Sequence, residues 1–92
     1  MIIQVLYFAE FKNITKKDKE KFELDDSNLE GLLSILFDKY KIKSLIWDEK
    51  NQRIQSLISI IINNQAIHEK DPSLITLKEG DTIAFLLPVS GG

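Results

Sequence analysis

The clearest pattern along the chain is a helical stripe of apolar residues between Asp25 and Tyr40. The stripe recurs at steps of three and four positions, at Leu29, Leu32, Leu33, Leu36, Phe37 and Tyr40. Ser27 and Glu30 have the spacing of a capping box, in which each side chain satisfies a backbone N–H group at the start of a helix. The pattern predicts one amphipathic helix whose wide apolar side lies against a flat apolar surface.

Strand-forming residues, mostly β-branched or aromatic, are concentrated in five short segments. These segments are Ile2–Ala9, Lys21–Leu24, Ser56–Ile62, Ala66–Ile67 and Thr82–Leu87. The second segment predicts a hairpin partner for the first. Asn63 and Asn64 tolerate the left-handed conformation of a tight turn, and Gly80 can take a positive φ in the turn before the last strand.

Polar stretches separate these elements and predict loops. Asn13–Lys19 is rich in lysine, but the acidic residues Glu10, Asp18, Glu20 and Glu23 are interleaved with the lysines in and around it, so we interpret it as a solvated loop and not a nucleic-acid site. Asp48–Arg53 predicts an exposed turn. Lys41–Gln55 as a whole shows no clean helical stripe.

The order of elements is strand, strand, helix, strand, short strand, strand. A compact arrangement pairs the first and last strands in parallel at the centre of a mixed sheet and lays the one main helix across one face. This is an α+β fold of the β-grasp, or ubiquitin-like, type, and we expect one domain over residues 1–92. A ferredoxin-like sandwich is the alternative, but it requires a second helix.

Composition narrows the class of protein. The chain has 92 residues, a net charge of −2 and no cysteine, which excludes disulfides, thiolate metal sites and a cysteine nucleophile. The first residues, MIIQVLYFAEFK, lack the basic region of a signal peptide, and no apolar run is long enough to span a membrane. We expect a soluble, cytoplasmic domain that binds neither nucleic acid nor membrane.

Side chains suited to catalysis are sparse. His68 is the only histidine, and one loop histidine near Glu69 and Asp71 is weak evidence for a metal site. Gly31 and Gly80 stand alone, so no glycine-rich phosphate loop is present. These observations favour a carrier or a binding module over a self-sufficient enzyme, with no metal and no permanently bound cofactor.

The end of the chain offers different chemistry. A short tail, from about residue 88 to residue 92, follows the last apolar strand and consists of Pro88, Val89, Ser90, Gly91 and Gly92. Proline limits the exit angle, and glycines without Cβ can thread a channel that fits only backbone. The pattern allows two interpretations: Gly92 presents its carboxylate as a reagent, or the residues are a frayed terminus without a role.

Three stretches resemble the small subunit of molybdopterin synthase, within the ubiquitin-like sulfur-carrier superfamily. They are VLYFAE at Val5–Glu10, INNQAI at Ile62–Ile67 and LKEGDTIAFLLPVSGG from Leu77. The last is the most specific, although Leu87 stands where the family commonly has a second proline before the valine.

The resemblance implies that an adenylyltransferase of the ubiquitin-activating type uses ATP to adenylate Gly92, and that a sulfur donor then produces a thiocarboxylate. The large synthase subunit would receive the tail, with its acid–base and substrate-binding groups acting on a cyclic pyranopterin monophosphate. Phe8 and Leu86 occupy the family's partner-binding positions, but alternation along a strand sends only half of its residues outward, so burial of both in the core is the alternative. Two small subunits on a dimeric large subunit form the expected heterotetramer.

Related carriers use the same tail chemistry, so alternatives stay open at this point. A sulfur carrier for the thiazole of thiamin or for tRNA thiolation is one, and a ubiquitin-like protein modifier is another. A binding module with incidental glycines is the remaining one.

Overall fold

The first and last strands lie side by side at the middle of a mixed sheet in the computed structural model, which describes residues 1–88. Strand β1 (Ile2–Leu6) runs parallel to β7 (Thr82–Leu86). Antiparallel β2 (Lys19–Glu23) pairs with β1, and β5 (Ser59–Ile62) and β6 (Gln65–Ile67) continue the sheet beyond β7. The resulting order, β2-β1-β7-β5-β6, confirms the predicted parallel central pair.

Helix α2 (Leu29–Lys39) packs across one face of this sheet. Four leucines of the predicted stripe are buried: Leu29, Leu32, Leu33 and Leu36. They belong to the same core as alternate residues of the strands, among them Ile3, Val5, Ile60, Ile83 and Phe85. The helix therefore lies on the flat apolar surface that its sequence required.

The predicted capping box at the start of α2 is wrong. Asn28 is the N-cap residue, and its side-chain oxygen accepts a hydrogen bond of 3.2 Å from the N–H of Gly31. Because the helix begins one residue later than the capping box requires, Gly31 takes the position predicted for Glu30. A Cβ at Gly31 would lie 2.8 Å from the Cβ of Asp26, so the helix needs glycine there.

The lysine-rich stretch is not only a loop. Helix α1 (Ala9–Thr15) occupies its first part, and β1 ends at Leu6 instead of Ala9. Phe11 and Thr15 are buried, and the Thr15 hydroxyl donates to the carbonyl oxygen of Phe11 at 2.9 Å. Two buried positions in seven residues form too short a stripe to stand out among charged neighbours.

The polar segment after α2 contains small elements. One helical turn, α3 (Lys43–Ile46), leads into a hairpin of β3 (Trp47–Asp48) and β4 (Arg53–Ile54). The turn between them confirms the predicted exposed turn. The Asp48 carboxylate at the start of this turn accepts hydrogen bonds from the backbone N–H groups of Lys50 and Asn51, at 3.0 and 3.1 Å.

The two predicted tight turns are confirmed and tied together. Asn63 and Asn64 have φ of 51° and 69°, and Gly80 has φ of 85°. Asp81 is buried beside Gly80, and its carboxylate accepts 2.7 Å and 2.8 Å hydrogen bonds from the Asn63 amide and the Lys78 N–H. The hydrogen bond from Asn63 fixes the start of β7 against the β5–β6 turn.

Glu20, on β2, binds four side chains through its carboxylate. The Tyr7 and Tyr40 hydroxyls donate to one oxygen at 2.8 and 2.7 Å, and the Lys17 and Lys39 ammonium groups donate to the other. Burial alone raises the pKa of Glu20, but these hydrogen bonds outweigh it and lower the pKa from 4.5 to about 2. The charged carboxylate therefore stabilises the fold.

We expect Glu20→Gln to lower the free energy of unfolding by about 1.5–3 kcal/mol at neutral pH, the range for hydrogen bonds to charged groups. Because the pKa of Glu20 is lower in the folded chain, its contribution is present above pH 4.5 and is lost as the pH falls towards about 2. The difference in stability between wild type and variant should therefore narrow over that window in urea denaturation.

Glu23→Gln provides the matched control, because Glu23 lies on the same strand and forms no ion pair within residues 1–88. A Glu20→Gln variant whose stability follows that of wild type across the window would contradict a stabilising role for the Glu20 carboxylate.

Candidate functional site

The end of the central parallel pair is where the chain leaves the sheet. Leu6 is in register with Ala84 across β1 and β7, so Phe8 and Leu86 follow two positions later at the same end. Pro88, the last described residue, is exposed just beyond Leu86. The predicted tail residues Val89, Ser90, Gly91 and Gly92 lie outside the described residues. Their assigned roles stay predictions.

The two residues predicted to bind a partner are exposed. Phe8 is 47% exposed and Leu86 is 36% exposed, whereas their chain neighbours Tyr7 and Phe85 are each 3% exposed. Successive residues of an extended chain point to opposite faces, so the neighbours face the core under α2 and this pair faces away from it. Their exposure fits the predicted role without testing it.

Leu57 is a third exposed apolar residue at this end that the sequence reading missed. It was assigned to a buried strand, but it precedes β5 and is 71% exposed. Ser59, two positions later, pairs with Leu86. Because side chains alternate along a strand, Leu57 points to the same face as Ser59 and to the opposite face from buried Ile58. This alternation is the sequence signal that could have indicated the exposure of Leu57.

The sheet face opposite α2 continues this apolar surface. Leu6, Ala84 and Ile61 are paired in one row across β1, β7 and β5. Together with the polar residues Asn63, Asn64 and Thr82 they line a shallow depression of about 240 Å³. In the same row, Leu6 also pairs with Lys19 at the edge of the sheet. We call the surface formed by Leu6, Ala84 and Ile61, together with Phe8 and Leu86 at the end where the chain leaves the sheet, the open face. It presents apolar contact area beside the exit of the tail.

Other groups singled out in the sequence do not assemble into a reactive site among residues 1–88. His68 is exposed, and no cluster of three histidine or acidic residues able to hold a metal ion occurs in this range. No helix in the described part of the chain is both long and apolar enough to cross a membrane.

The charged residues around α1 include an ion pair between Lys12 and Asp18. Lys12 lies 2.7 Å from Asp18, and this hydrogen bond holds the pKa of the Asp18 carboxyl below its usual range. Both side chains are more than half exposed, so the pair adds little stability. The interleaved charges are thus solvated, as the sequence predicted, although the first part of the stretch belongs to α1 and is not a loop.

A mixed sheet with a parallel central pair and one main helix across it defines a β-grasp, ubiquitin-like protein. The sequence from residue 5 to residue 92 matches the model of the ThiS family. The chain belongs to this family and is a ubiquitin-like sulfur carrier.

Solved structures support the same fold. SAMP1 from Haloferax volcanii has a TM-score of 0.80 at 19% identity, with all of both chains covered, and shows the fold alone. The small archaeal modifier protein 1 from Methanosarcina acetivorans has a TM-score of 0.77 at 30% identity, covering 99% of this chain and 96% of that one.

A further similar structure is a protein–protein complex of subunits 1 and 2 of molybdopterin-converting factor from Helicobacter pylori 26695. It matches with a TM-score of 0.64 at 26% identity and covers 100% of both chains. Similarity to this complex supports a partner protein for the present chain.

We expect alanine substitutions on the buried and exposed faces of the sheet to lower the free energy of unfolding by different amounts. Phe85→Ala removes a buried ring and should lower the free energy of unfolding by about 3–5 kcal/mol. Phe8→Ala and Leu86→Ala should each cost about 1 kcal/mol or less, because both side chains already contact solvent. Urea denaturation measures all three, and comparable losses at Leu86 and Phe85 would show that the open face is covered.

Proposed function

We propose that this chain is the small, sulfur-carrying subunit of molybdopterin synthase. The observation that carries the proposal is the rigid base of its tail: β7 is paired with β1 on one side up to Ala84 and with β5 on the other side up to Leu86. The terminal sequence Pro-Val-Ser-Gly-Gly resembles that family, and the ThiS match continues to residue 92. The similarity to the Helicobacter pylori converting-factor complex supports the same assignment.

The proposed chemistry takes place on the main chain. A carboxylate oxygen of Gly92 attacks the α-phosphate of ATP in an activating enzyme, and pyrophosphate leaves. A donor that supplies sulfur at the oxidation level of sulfide then displaces AMP from the acyl-adenylate, and the product is a thiocarboxylate. Transfer of that sulfur to a cyclic pyranopterin monophosphate, with water restoring the carboxylate, returns the carrier to its starting state. No cofactor needs to stay bound to the chain.

The proposed partner contact is the open face around Phe8 and Leu86. Apolar side chains exposed at the tail exit can dock on a large subunit while Val89, Ser90 and Gly91 extend Gly92 towards its pocket. In this arrangement the large subunit supplies the acid–base and substrate-binding groups. Two small subunits on a dimeric large one give a heterotetramer.

A ubiquitin-like protein modifier is the second candidate. The observation that favours it is the 30% identity to the small archaeal modifier protein 1 from Methanosarcina acetivorans. Activation of the Gly92 carboxylate is common to both functions, but a modifier transfers the acyl group to a lysine amine where a carrier transfers sulfur. Carriers for thiamin thiazole or tRNA thiolation share the thiocarboxylate and differ in the final acceptor.

We expect co-expression with the activating enzyme and sulfur donor of its own genome to produce chains heavier by the difference between one sulfur and one oxygen atom. Intact-mass spectrometry detects this change. Deleting Gly92, or adding an alanine after it, should abolish the mass shift and leave the urea midpoint unchanged, because the tail lies beyond the last paired residue, Leu86. A mass shift in the deletion variant would contradict the proposal.

A carrier and a modifier differ in the molecule that accepts the transferred group: a pterin precursor accepts sulfur from the carrier, and a lysine accepts the acyl group from the modifier. Loaded protein mixed with the large synthase subunit should convert the pterin precursor, and the Phe8→Ala/Leu86→Ala variant should bind that subunit at least about tenfold more weakly, a loss of about 1.4 kcal/mol. The matched control is Ile2→Ala, since Ile2 is exposed at the other end of β1. Lysine-linked adducts without pterin conversion would favour the modifier.

A further inference from the structure

A second concave surface lies on the helical side of the molecule, away from the open face. Helix α2 supplies one wall through Glu30, Leu33 and Phe37, which lie on one side of the helix at spacings of three and four. The β3–β4 hairpin supplies the other wall through Trp47. The groove has a volume of about 400 Å³, within the range of about 300–1,000 Å³ typical of small-ligand pockets.

The floor of the groove is apolar. Leu33 and Pro72 are buried beneath it, while Phe37 and Trp47 are half-buried at its surface. The two rings meet edge to face, with centroids 6.5 Å apart and an interplanar angle of 66°. Such a floor suits the methylene groups of a long side chain or the face of a planar cation.

The rim of the groove is acidic. Glu30, Glu49 and Asp71 contribute three carboxylates, and Lys43 contributes one ammonium group. Lys43 lies 3.1 Å from Glu49 and neutralises it, whereas Glu30 and Asp71 form no ion pair within residues 1–88. The rim therefore carries two negative charges in excess over an aromatic floor.

We propose that this groove binds one long basic side chain, an arginine or lysine, presented by a partner protein. The methylene stem lies on Phe37 and Trp47, and the cation lies between the carboxylates of Glu30 and Asp71. This inference does not depend on the proposed sulfur-carrier pathway. Because the groove and the open face lie on different sides of the sheet, an occupant of the groove leaves the open face accessible.

The combination of floor and rim selects this occupant over others. A purely apolar side chain would lie against the floor but remove water from two carboxylates without compensating their charge. An anionic group would be repelled by the rim. A basic side chain satisfies both parts, since it is the type that buries an apolar stem while its charged end reaches acceptors.

The test uses Trp47, the only tryptophan of the chain, as a reporter. The full chain is titrated with N-acetyl-arginine amide, with the neutral isostere N-acetyl-citrulline amide, and with N-acetyl-norleucine amide, and amide and indole N–H shifts are followed by NMR. We expect the arginine probe to shift Trp47 and Phe37 saturably, with a dissociation constant on the order of a millimolar for one side chain. The neutral probes should bind at least tenfold more weakly, and added salt should weaken only the arginine probe.

Glu30→Gln/Asp71→Asn should weaken the arginine probe at least tenfold, whereas Glu10→Gln/Glu23→Gln, with the same change in net charge outside the groove, should not. Circular dichroism checks that both variants fold. No saturable shift at Trp47 with arginine overturns the proposal. Equal binding of norleucine overturns it in favour of an apolar occupant, and equal loss in both double variants reduces it to a general charge effect and also overturns it.

Discussion

The hydrogen-bonded pairing of β1 with β7 is the constraint on which the rest of the structure depends. These strands come from opposite ends of the described chain, so their pairing closes nearly the whole polypeptide into one sheet. Closing so long a loop costs conformational entropy before any stabilising contact forms. The cost is offset by the core that forms when α2 covers the sheet, with Ile3, Val5 and Ile83 all buried beneath it.

This pairing also fixes the direction in which the chain leaves the fold. An edge strand frays easily, but β7 has a partner on each side and is further tied at its start by Asp81 and Asn63. At its other end the backbone passes Leu86 and reaches exposed Pro88. The scaffold therefore fixes the position of the chain as far as this point, which reduces the entropy lost when a partner binds here.

Much of the fold was predictable because its main elements repeat their pattern. The stripe of α2 recurs over three turns, and Asn63-Asn64 is a turn signal that depends on only two residues. Helix α1 was missed because Phe11 and Thr15 give too few buried positions to define a period. The cap of α2 was misplaced because Ser27 and Asn28 are both good N-cap residues, and backbone packing decides between neighbours.

The candidate site was less predictable than the fold. Alternation along β1 and β7 separates Phe8 from Tyr7 and Leu86 from Phe85, but it does not say which set faces the core. That choice depends on where α2 lies, which is a long-range contact. The groove beside Trp47 was not predicted at all, because its residues come from α2, the β3–β4 hairpin and the turn at Pro72, which only folding brings together.

If the reagent is a main-chain carboxylate, it is chemically the same in every carrier and modifier that ends in glycine. The tail itself then cannot distinguish one partner from another, and selectivity has to come from the surfaces that the scaffold presents. In this chain those surfaces differ in kind: the open face offers exposed apolar side chains beside the tail, while the groove offers carboxylates over aromatic rings. A partner that takes the tail competes for the first surface and not for the second. Two such surfaces, on different sides of one small sheet, allow a carrier to be held by one protein while another acts on its terminus.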